Sequence, residues 1–476
     1  MPNTMRLLAP ALLLAITLGA AAPAGNPRVT IDTGTLEGVV DTSGVLAFQG
    51  IPYALPPVGA LRWRAPRPAA SWSGVRPANR LGHNCMQTQI YGDIDPFAAG
   101  VSEDCLYLNV WTPSVQGASR PVMVWIHGGG YRAGFGGEER HYGAPLAQKG
   151  VVVVTLNYRL GPLGFFAHPA LAGESPRHAS GNYGLLDQIA ALQWVKRNIA
   201  RFGGDPARVT IFGESAGGTS VGALVASPLA KGLFRGAILE SGTGIGRSVQ
   251  SRDSAEARGV RFAERLGVSG TGADAAGRLR AVSADTLLAA SQGTPGYSVA
   301  LAVDGWSLTS TVDSTLSRGG GNAVATIVGA NGDEGDGAGA SARTFARLIA
   351  GRGKPAYTYL FTRVGDDSAN RARGAYHSAE ITFVFGRAHP ILANAGTTAY
   401  DSTLADAMSD YWVAFAATGT PNGKPAAGKR PSWPAYAPST DAYLELGPEI
   451  RSGTFPKRAI YDSLDALART RGDVRP

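Results

Sequence analysis

One serine stands where the neighbouring residues favour a nucleophile. Ser215 is the centre of a Gly-x-Ser-x-Gly pentapeptide that runs from Gly213 to Gly217. The apolar residues 209–212 predict a short buried strand, and the small apolar residues 218–227 predict a helix packed closely on a sheet. Between a strand and a helix, this pentapeptide forms a tight turn that lifts the serine hydroxyl clear of the sheet. Glycines are expected on both sides because a Cβ there would strike the crossing backbone.

A serine nucleophile also needs fixed N–H donors for the oxygen that becomes charged in the transition state. Residues 121–126 predict a core strand that ends in His127 and three glycines. A loop of this type brings bare backbone close to a substrate. We assign the N–H groups of Gly129 and Gly130 to an oxyanion hole, together with that of Ala216, which follows the nucleophile. The alternative is a glycine turn without a chemical role.

The base that activates the serine is expected among seven histidines. For a serine in this strand–turn–helix setting, the chain order is nucleophile, acid, histidine, and only His377 and His389 lie far enough downstream. His377 follows the strand-like residues 357–361 in a loop of small residues, where catalytic groups collect. His389 precedes Pro390, which restricts the backbone. We predict His377 as the base and His389 as a surface or packing residue.

The acid that orients the imidazole has two candidates. Residues 325–328 predict another strand, and the glycine-rich loop after it carries Asp333 and Glu334. Two adjacent carboxylates cannot both face one histidine, and periodicity does not choose between them. The alternative is a solvated acidic turn. From the residues alone, both carboxylates remain candidates.

Several motifs, in the same order along the chain, resemble those of type-B carboxylesterases, the family that includes bacterial esterases and the cholinesterases. The resemblance covers nearly the whole chain after its first residues. It rests on F-Q-G-I-P-Y-A at 48–54, P-P-V-G at 56–59, E-D-C-L-Y-L-N-V at 103–110, W-I-H-G-G-G at 125–130, G-N-Y-G at 181–184, F-G-G-D-P at 202–206 and G-T-P-N at 419–422.

The resemblance implies roles for particular residues. In that family the acid is the glutamate of a D-E-G segment and the base is the histidine of a G-x-x-H segment, which implies Glu334 and His377. It also implies that Glu214 lines the site near the histidine and that Ser241 lies close behind. The implied activity is a serine carboxylesterase with an acyl-enzyme intermediate. The alternatives are a lipase, lactonase or amidase with the same triad, or a non-catalytic cholinesterase-like binding domain.

One departure from the family concerns the segment between acid and base. About forty residues separate Glu334 from His377, whereas family members usually carry a much longer, largely helical insert there. Residues 335–340 are also less apolar than is usual in the family. We expect a shallower and more open site that bulky or polar esters enter more easily. The alternative is that other loops close over the gap.

The rest of the chain predicts an α/β fold. Apolar strand-like runs such as residues 151–157 alternate with helix-like stretches such as residues 185–200, whose apolar positions recur at three- and four-residue steps. This alternation predicts a large, mostly parallel twisted sheet with helices on both faces, and the resemblance makes it an α/β-hydrolase fold. Residues 25–476 contain no linker or repeat and are predicted to form a single domain. Residues 1–24, with Arg6 before an apolar run, predict a cleaved signal peptide and a secreted or periplasmic protein.

The cysteine content, the motifs and the net charge limit which cofactors and binding partners are expected. An isolated cysteine pair, Cys85 and Cys105, is expected to form a disulfide in an exported chain, and the family also joins cysteines at these positions. The alternative is two free thiols. Neither a zinc-site spacing nor a P-loop occurs, so we expect no metal and no cofactor. The net charge of +8 is spread along the chain without basic–aromatic interleaving, so we expect no nucleic acid. The expected partners are a small-molecule ester and water, without a stable membrane anchor.

Overall fold

The computed structural model describes residues 25–91, 99–117, 119–246, 249–293, 298–366, 368–386, 398–423 and 430–470. The signal peptide predicted for residues 1–24 lies outside the described residues and stays a prediction, as does the role of His389. Among the described residues, no helix combines the length and apolar character needed to cross a membrane.

In the described part of the chain, strands come first, up to residue 126, and helices are interspersed with strands after it. The strands are β1 Arg28–Ile31, β2 Gly34–Glu37, β3 Val39–Val40, β4 Leu46–Pro52, β5 Val75–Pro77, β6 Asn84–Cys85, β7 Val101–Ser102, β8 Tyr107–Thr112, β9 Arg120–Ile126, β10 Val152–Leu156, β11 Gly204–Glu214, β12 Gly236–Glu240, β13 Val249–Gln250, β14 Leu301–Ala302, β15 Ala325–Asn331, β16 Ala356–Phe361, β17 Ala442–Leu446 and β18 Ile450–Thr454. The helices are α1 Ala144–Gln148, α2 Gly161–Phe165, α3 Pro169–Glu174, α4 Tyr183–Asn198, α5 Ala216–Ala226, α6 Arg252–Arg265, α7 Ala273–Ala281, α8 Ala284–Gly293, α9 Val312–Ser317, α10 Asp336–Ala350, α11 Ser368–Arg373, α12 Ile381–Val384, α13 Ala399–Thr418 and α14 Arg458–Thr470.

One large sheet dominates the described part of the chain. Its eleven strands lie in the order β18-β17-β16-β15-β12-β11-β9-β10-β8-β4-β3. The seven strands from β17 to β10 pair in parallel, and antiparallel strands flank them at both edges. This arrangement confirms the predicted mostly parallel sheet.

Both faces of the sheet are covered, which explains why its central strands are mainly apolar. All five residues of β10 are buried. One hydrophobic core lies under α4, α5 and α10, where Trp194, Leu224 and Phe345 are buried. A second core lies on the opposite face under α1 and α13, where Leu146 and Trp412 are buried. Helices thus cover both faces of the sheet, as the alternating pattern predicts.

Two features lie near the carboxyl ends of the central strands, where the predicted site residues are found. Helix α10 begins two residues after Glu334 and contacts β15, β16 and α14. The chain therefore enters the core directly after the loop that carries Asp333 and Glu334. Cys85 and Cys105 form a disulfide, as expected, and close a loop that passes the glycine-rich segment after β9. Within that loop Gln87 accepts a 2.8 Å hydrogen bond from Gly134 N.

Candidate active site

Ser215 occupies a sharp turn between β11 and α5. Its backbone has a φ of 57° and a ψ of −119°, a combination that residues other than glycine rarely adopt. The turn is therefore strained. The backbone N–H of Ser215 donates a 2.8 Å hydrogen bond to the Glu240 carbonyl at the end of the neighbouring strand. The side chain is partly exposed. The turn therefore has the form predicted for a nucleophile elbow.

The glycines beside the serine are required by the backbone that crosses them. A Cβ on Gly217 would lie 2.0 Å from the Ile126 carbonyl oxygen, and one on Gly213 would lie 2.5 Å from the same atom. Ile126 is the last residue of β9. The elbow thus packs directly against the strand that leads into the glycine-rich loop.

The glycine-rich loop passes beside the nucleophile. A Cβ on Gly128 would lie 3.2 Å from Ser215 Cβ. Gly129 and Gly130 have φ values of 94° and 61°, which suit glycine. Among the described residues, the N–H groups of Gly129, Gly130 and Ala216 donate no hydrogen bond, so these predicted oxyanion donors have no protein acceptor there.

His127 holds this loop in place. Its ring stacks on Tyr158 with 4.3 Å between centroids, and its Nδ1 lies 2.9 Å from the Gly128 carbonyl oxygen. The Tyr158 hydroxyl donates a 2.8 Å hydrogen bond to the His127 carbonyl. Burial lowers the pKa of His127 to about 4, so the ring is neutral near pH 7. His127 therefore has a packing role.

The two acidic candidates have separate contacts. His377 Nδ1 hydrogen-bonds Glu334 Oε2, and the other oxygen of Glu334 accepts a 2.7 Å hydrogen bond from Asn331 N. Asp333 instead accepts a 2.7 Å hydrogen bond from Ala375 N, two residues before His377. Glu334 thus orients the ring, while Asp333 fixes the loop that carries it.

The other ring nitrogen of His377 lies near Glu214. Its Nε2 lies 3.2 Å from Glu214 Oε1, and the His377 side chain is 48% exposed whereas that of Glu214 is 3% exposed. Among the described residues, no hydrogen bond joins Ser215 Oγ to His377. The structure therefore brings His377 together with Glu334 and Glu214, and Ser215 follows Glu214 on the elbow.

These carboxylates favour the protonated imidazole. Burial opposes the charge, but the hydrogen bond to Glu334 and the negative charge of Glu214 outweigh it and raise the pKa of His377 to about 9. Burial also raises the pKa of Glu214, and the positive charge of His377 acts in the opposite direction.

Two further buried glutamates were missed in the sequence. Glu240 and Glu380 are fully buried, and the negative charge of Glu380 acts on His377. Trp412 Nε1 donates a 2.8 Å hydrogen bond to Glu240, and Asn331 Nδ2 donates a 2.6 Å hydrogen bond to Glu380. The available signals were an acidic residue at the end of the apolar strand β12 and a glutamate three residues after His377.

Ser241 lies beside the elbow. It follows Glu240, whose carbonyl accepts the Ser215 N–H, and its own N–H donates a 2.9 Å hydrogen bond to the Gly329 carbonyl. Its φ is 51°, and its buried hydroxyl has no partner in the described part of the chain. Within the described residues, no group of histidine, cysteine and acidic side chains could hold a metal ion.

The chain is similar to known esterases over most of its length. The model of the carboxylesterase family matches residues 25–340 and 338–462. Fumonisin B1 esterase of Sphingopyxis macrogoltabida is 36% identical, with 93% of this chain and 91% of that protein covered. Para-nitrobenzyl esterase of Bacillus subtilis is 35% identical, with 89% and 95% covered.

A solved structure shows the same fold. A carboxylesterase of Geobacillus stearothermophilus superimposes with a TM-score of 0.80 at 32% identity, covering 92% of this chain and 99% of that one. The chain belongs to the carboxylesterase family and has its α/β-hydrolase fold. It is an esterase, an enzyme that uses water to cleave small-molecule carboxylic esters.

Proposed function

We propose that this esterase works through a triad of Ser215, His377 and Glu334 and forms an acyl-enzyme intermediate. The observation that carries the proposal is the position of the His377 ring: Nδ1 hydrogen-bonds Glu334, and Nε2 lies 3.2 Å from Glu214, the residue that precedes Ser215. The elbow and the adjacent glycine-rich loop supply the remaining parts of a serine esterase.

The proposed reaction has two halves. Ser215 Oγ attacks the ester carbonyl while His377 Nε2 accepts its proton, and the N–H groups of Gly129, Gly130 and Ala216 stabilise the oxyanion. His377 then protonates the leaving alcohol as the acyl-enzyme forms. Water attacks the acyl-enzyme with His377 again as base, and the carboxylic acid leaves as Ser215 regains its proton.

The contact between His377 and Glu214 has a consequence for this cycle. With Nδ1–H directed to Glu334, a neutral ring presents a lone pair at Nε2, which cannot donate to Glu214. Loss of the proton therefore weakens the contact with Glu214 and leaves Nε2 able to accept the Ser215 hydroxyl. Catalytic hydrogen bonds are often absent or long in free enzymes and form in the substrate complex.

We further propose that the natural substrate is a bulky or polar small-molecule ester and that the protein is exported. The 48% exposure of the His377 side chain supports a shallow, open site. The disulfide between Cys85 and Cys105 supports an oxidising compartment, in agreement with the signal peptide predicted for residues 1–24.

The proposed nucleophile is tested by covalent labelling. A fluorophosphonate should add to one residue of the purified mature enzyme and abolish activity, and peptide mass spectrometry should place the adduct on Ser215. Ser241, with its buried hydroxyl beside the elbow, is the matched control, so Ser241→Ala should still be labelled. An adduct on another serine would overturn the proposal.

A further inference from the structure

The strand register places two glutamates and a tyrosine in one row across the sheet. Glu214 pairs with Glu240, Glu240 with Gly329, and Gly329 with Tyr359. Paired residues of neighbouring strands point to the same face and lie about 4.8 Å apart. We call Glu214, Glu240, Gly329 and Tyr359 the carboxylate row. It lies on the face that α13 covers.

Gly329 makes room within the row. A Cβ at this position would lie 2.2 Å from Tyr359 Cδ1, so the tyrosine ring occupies the space that a side chain on β15 would fill. Tyr359 is 1% exposed. The ring therefore extends across β15 toward the side of the row that holds Glu240.

Trp412 and Glu380 lie next to the carboxylate row but belong to segments outside the sheet. Trp412 Nε1, on α13, donates to Glu240 Oε1, and Asn331 Nδ2 donates to Glu380 Oε2. The other oxygen of each carboxylate, and the Tyr359 hydroxyl, are buried with no hydrogen-bond partner among the described residues. The Tyr359 hydroxyl carries its own proton, whereas each of the two carboxylate oxygens has one only if its glutamate is protonated.

The charges around Glu240 are almost all negative. The acidic neighbours are Glu214 on β11 and Glu380 in the turn that carries His377. Trp412 on α13 is neutral, and so is Tyr359 on β16, because burial raises the pKa of its hydroxyl well above the usual value. The nearby cations, His377 and Arg140, act on Glu214, and Arg140 is paired at 2.6 Å with Glu138.

A fully buried carboxylate without a cationic partner is costly to ionise, so such a group takes up a proton instead. Burial raises the pKa of Glu240 well above its usual value, and the negative charges of Glu380 and Glu214 raise it further. Trp412 opposes this shift through its hydrogen bond.

We propose that Glu240 is a neutral carboxylic acid in the folded enzyme, and that its Oε2–H donates a hydrogen bond to the Glu380 carboxylate. The carbonyl oxygen Oε1 accepts from Trp412. Glu240 is thereby a positioning residue that holds Glu380 and Glu214 behind His377 without adding a negative charge. The positioning role rests on the proposed function of His377, whereas the protonation of Glu240 does not.

Infrared spectroscopy tests the protonation independently of catalysis. At neutral pH, the full-length mature enzyme should show the C=O stretch of a protonated carboxylic acid that disappears in Glu240→Gln. Glu445→Gln, whose glutamate pairs with Arg451 at 2.7 Å, is the matched control and should leave the band intact. Trp412→Phe should keep the band but move it, because the hydrogen bond to its carbonyl oxygen is lost. A band that persists unchanged in Glu240→Gln and in Trp412→Phe would overturn the proposal.

The acid limb of the pH–rate profile tests the positioning role. Glu240→Gln keeps a neutral donor, so the midpoint assigned to His377 should stay within about 0.3 pH units of that of the parent enzyme, whereas Glu214→Gln should lower it. Glu240→Leu cannot donate and should lower kcat by about tenfold relative to Glu240→Gln, with little change in KM. A midpoint that falls in Glu240→Gln as far as in Glu214→Gln would show that Glu240 is ionised.

Discussion

His377 has to satisfy opposing requirements at its two ring nitrogens. Glu334 needs a hydrogen on Nδ1 to orient the ring, while catalysis needs Nε2 free of its proton. The structure surrounds the ring with carboxylates that stabilise the imidazolium, which helps once the Ser215 proton has been accepted but holds the resting enzyme in the protonated form. The pH dependence of the rate should therefore report the balance between these effects.

We predict that kcat/KM rises with pH well beyond the range of an ordinary histidine. An unperturbed histidine would give a rise through about pH 6 to 7, but the neighbouring carboxylates raise the pKa of His377 to about 9. Only the neutral ring accepts a proton, so kcat/KM should increase roughly tenfold per pH unit below the midpoint and then level off. Steady-state kinetics from pH 5 to 10, corrected for spontaneous hydrolysis, measure this. A flat profile from pH 5 to 8 would contradict the assignment of the base.

Glu214→Gln is the companion variant for that measurement. Removing the negative charge at 3.2 Å from Nε2 destabilises the imidazolium, so the midpoint should move to lower pH.

The adjacent carboxylates Asp333 and Glu334 should respond differently to amide substitution. Glu334→Gln removes the charge that orients and stabilises the imidazolium, and we expect kcat to fall by about 10²–10⁴-fold, as when the acid of other triads is replaced. Asp333→Asn keeps an oxygen that can accept from Ala375 N, so its effect on kcat should be less than about tenfold. Equal losses in the two variants would contradict their separate roles.

At the scale of elements, the elbow depends on close contact between β9 and the turn after β11. Glycine is required there because the Ile126 carbonyl oxygen occupies the space that a Cβ on Gly217 would fill. Any displacement of β9 would also move the glycine-rich loop that continues it. Packing and the proposed oxyanion hole are therefore coupled through one strand.

We predict that Gly217→Ala impairs both stability and activity. The added Cβ would lie 2.0 Å from a backbone oxygen that cannot rotate away, so the free energy of unfolding should fall by about 1–3 kcal/mol, with a larger loss in kcat/KM. Gly277→Ala is the control: this glycine lies inside α7 with open space around it, so alanine should stabilise the helix by about 0.5–1 kcal/mol. Chemical denaturation of both variants checks this, and an unfolding free energy for Gly217→Ala equal to that of the parent would contradict the packing argument.

The positions of the strands could be predicted from the sequence better than their pairing and register. Residues 121–126 and 151–157 are apolar because their strands are covered on both faces, and the structure places β9 and β10 there. The carboxylate row was missed because it depends on which residue of β11 lies opposite which residue of β12 and β16. That register is set by tertiary packing between segments far apart in the chain. From the sequence, Glu240 could therefore be placed at the end of a strand but not beside Glu214 and Tyr359.

At the scale of the molecule, we expect the short connection between Glu334 and His377 to affect access to the site. The two stretches that match the family model overlap at residues 338–340, within the segment that the sequence predicts to be shorter than is usual in the family. Helix α10 begins at Asp336 and runs into the core on β15 and β16. The His377 side chain is 48% exposed, which agrees with the proposed open site.

We predict that the enzyme tolerates large groups on its ester. Nitrophenyl esters of increasing acyl size, and acetates of increasingly bulky alcohols, should be hydrolysed with kcat/KM values within about one or two orders of magnitude of the acetate, because an open site excludes few of them. The panel should be run on the purified mature protein. If no ester larger than a short-chain nitrophenyl ester were hydrolysed, other loops would have to close the site.

The most direct test of the whole account is the turnover of Ser215→Ala. We expect kcat to fall by several orders of magnitude, because a methyl group cannot form the acyl-enzyme, while circular dichroism and the unfolding midpoint stay close to those of the parent. A folded Ser215→Ala protein that kept a tenth of the parent activity would contradict the central claim that this hydroxyl is the nucleophile.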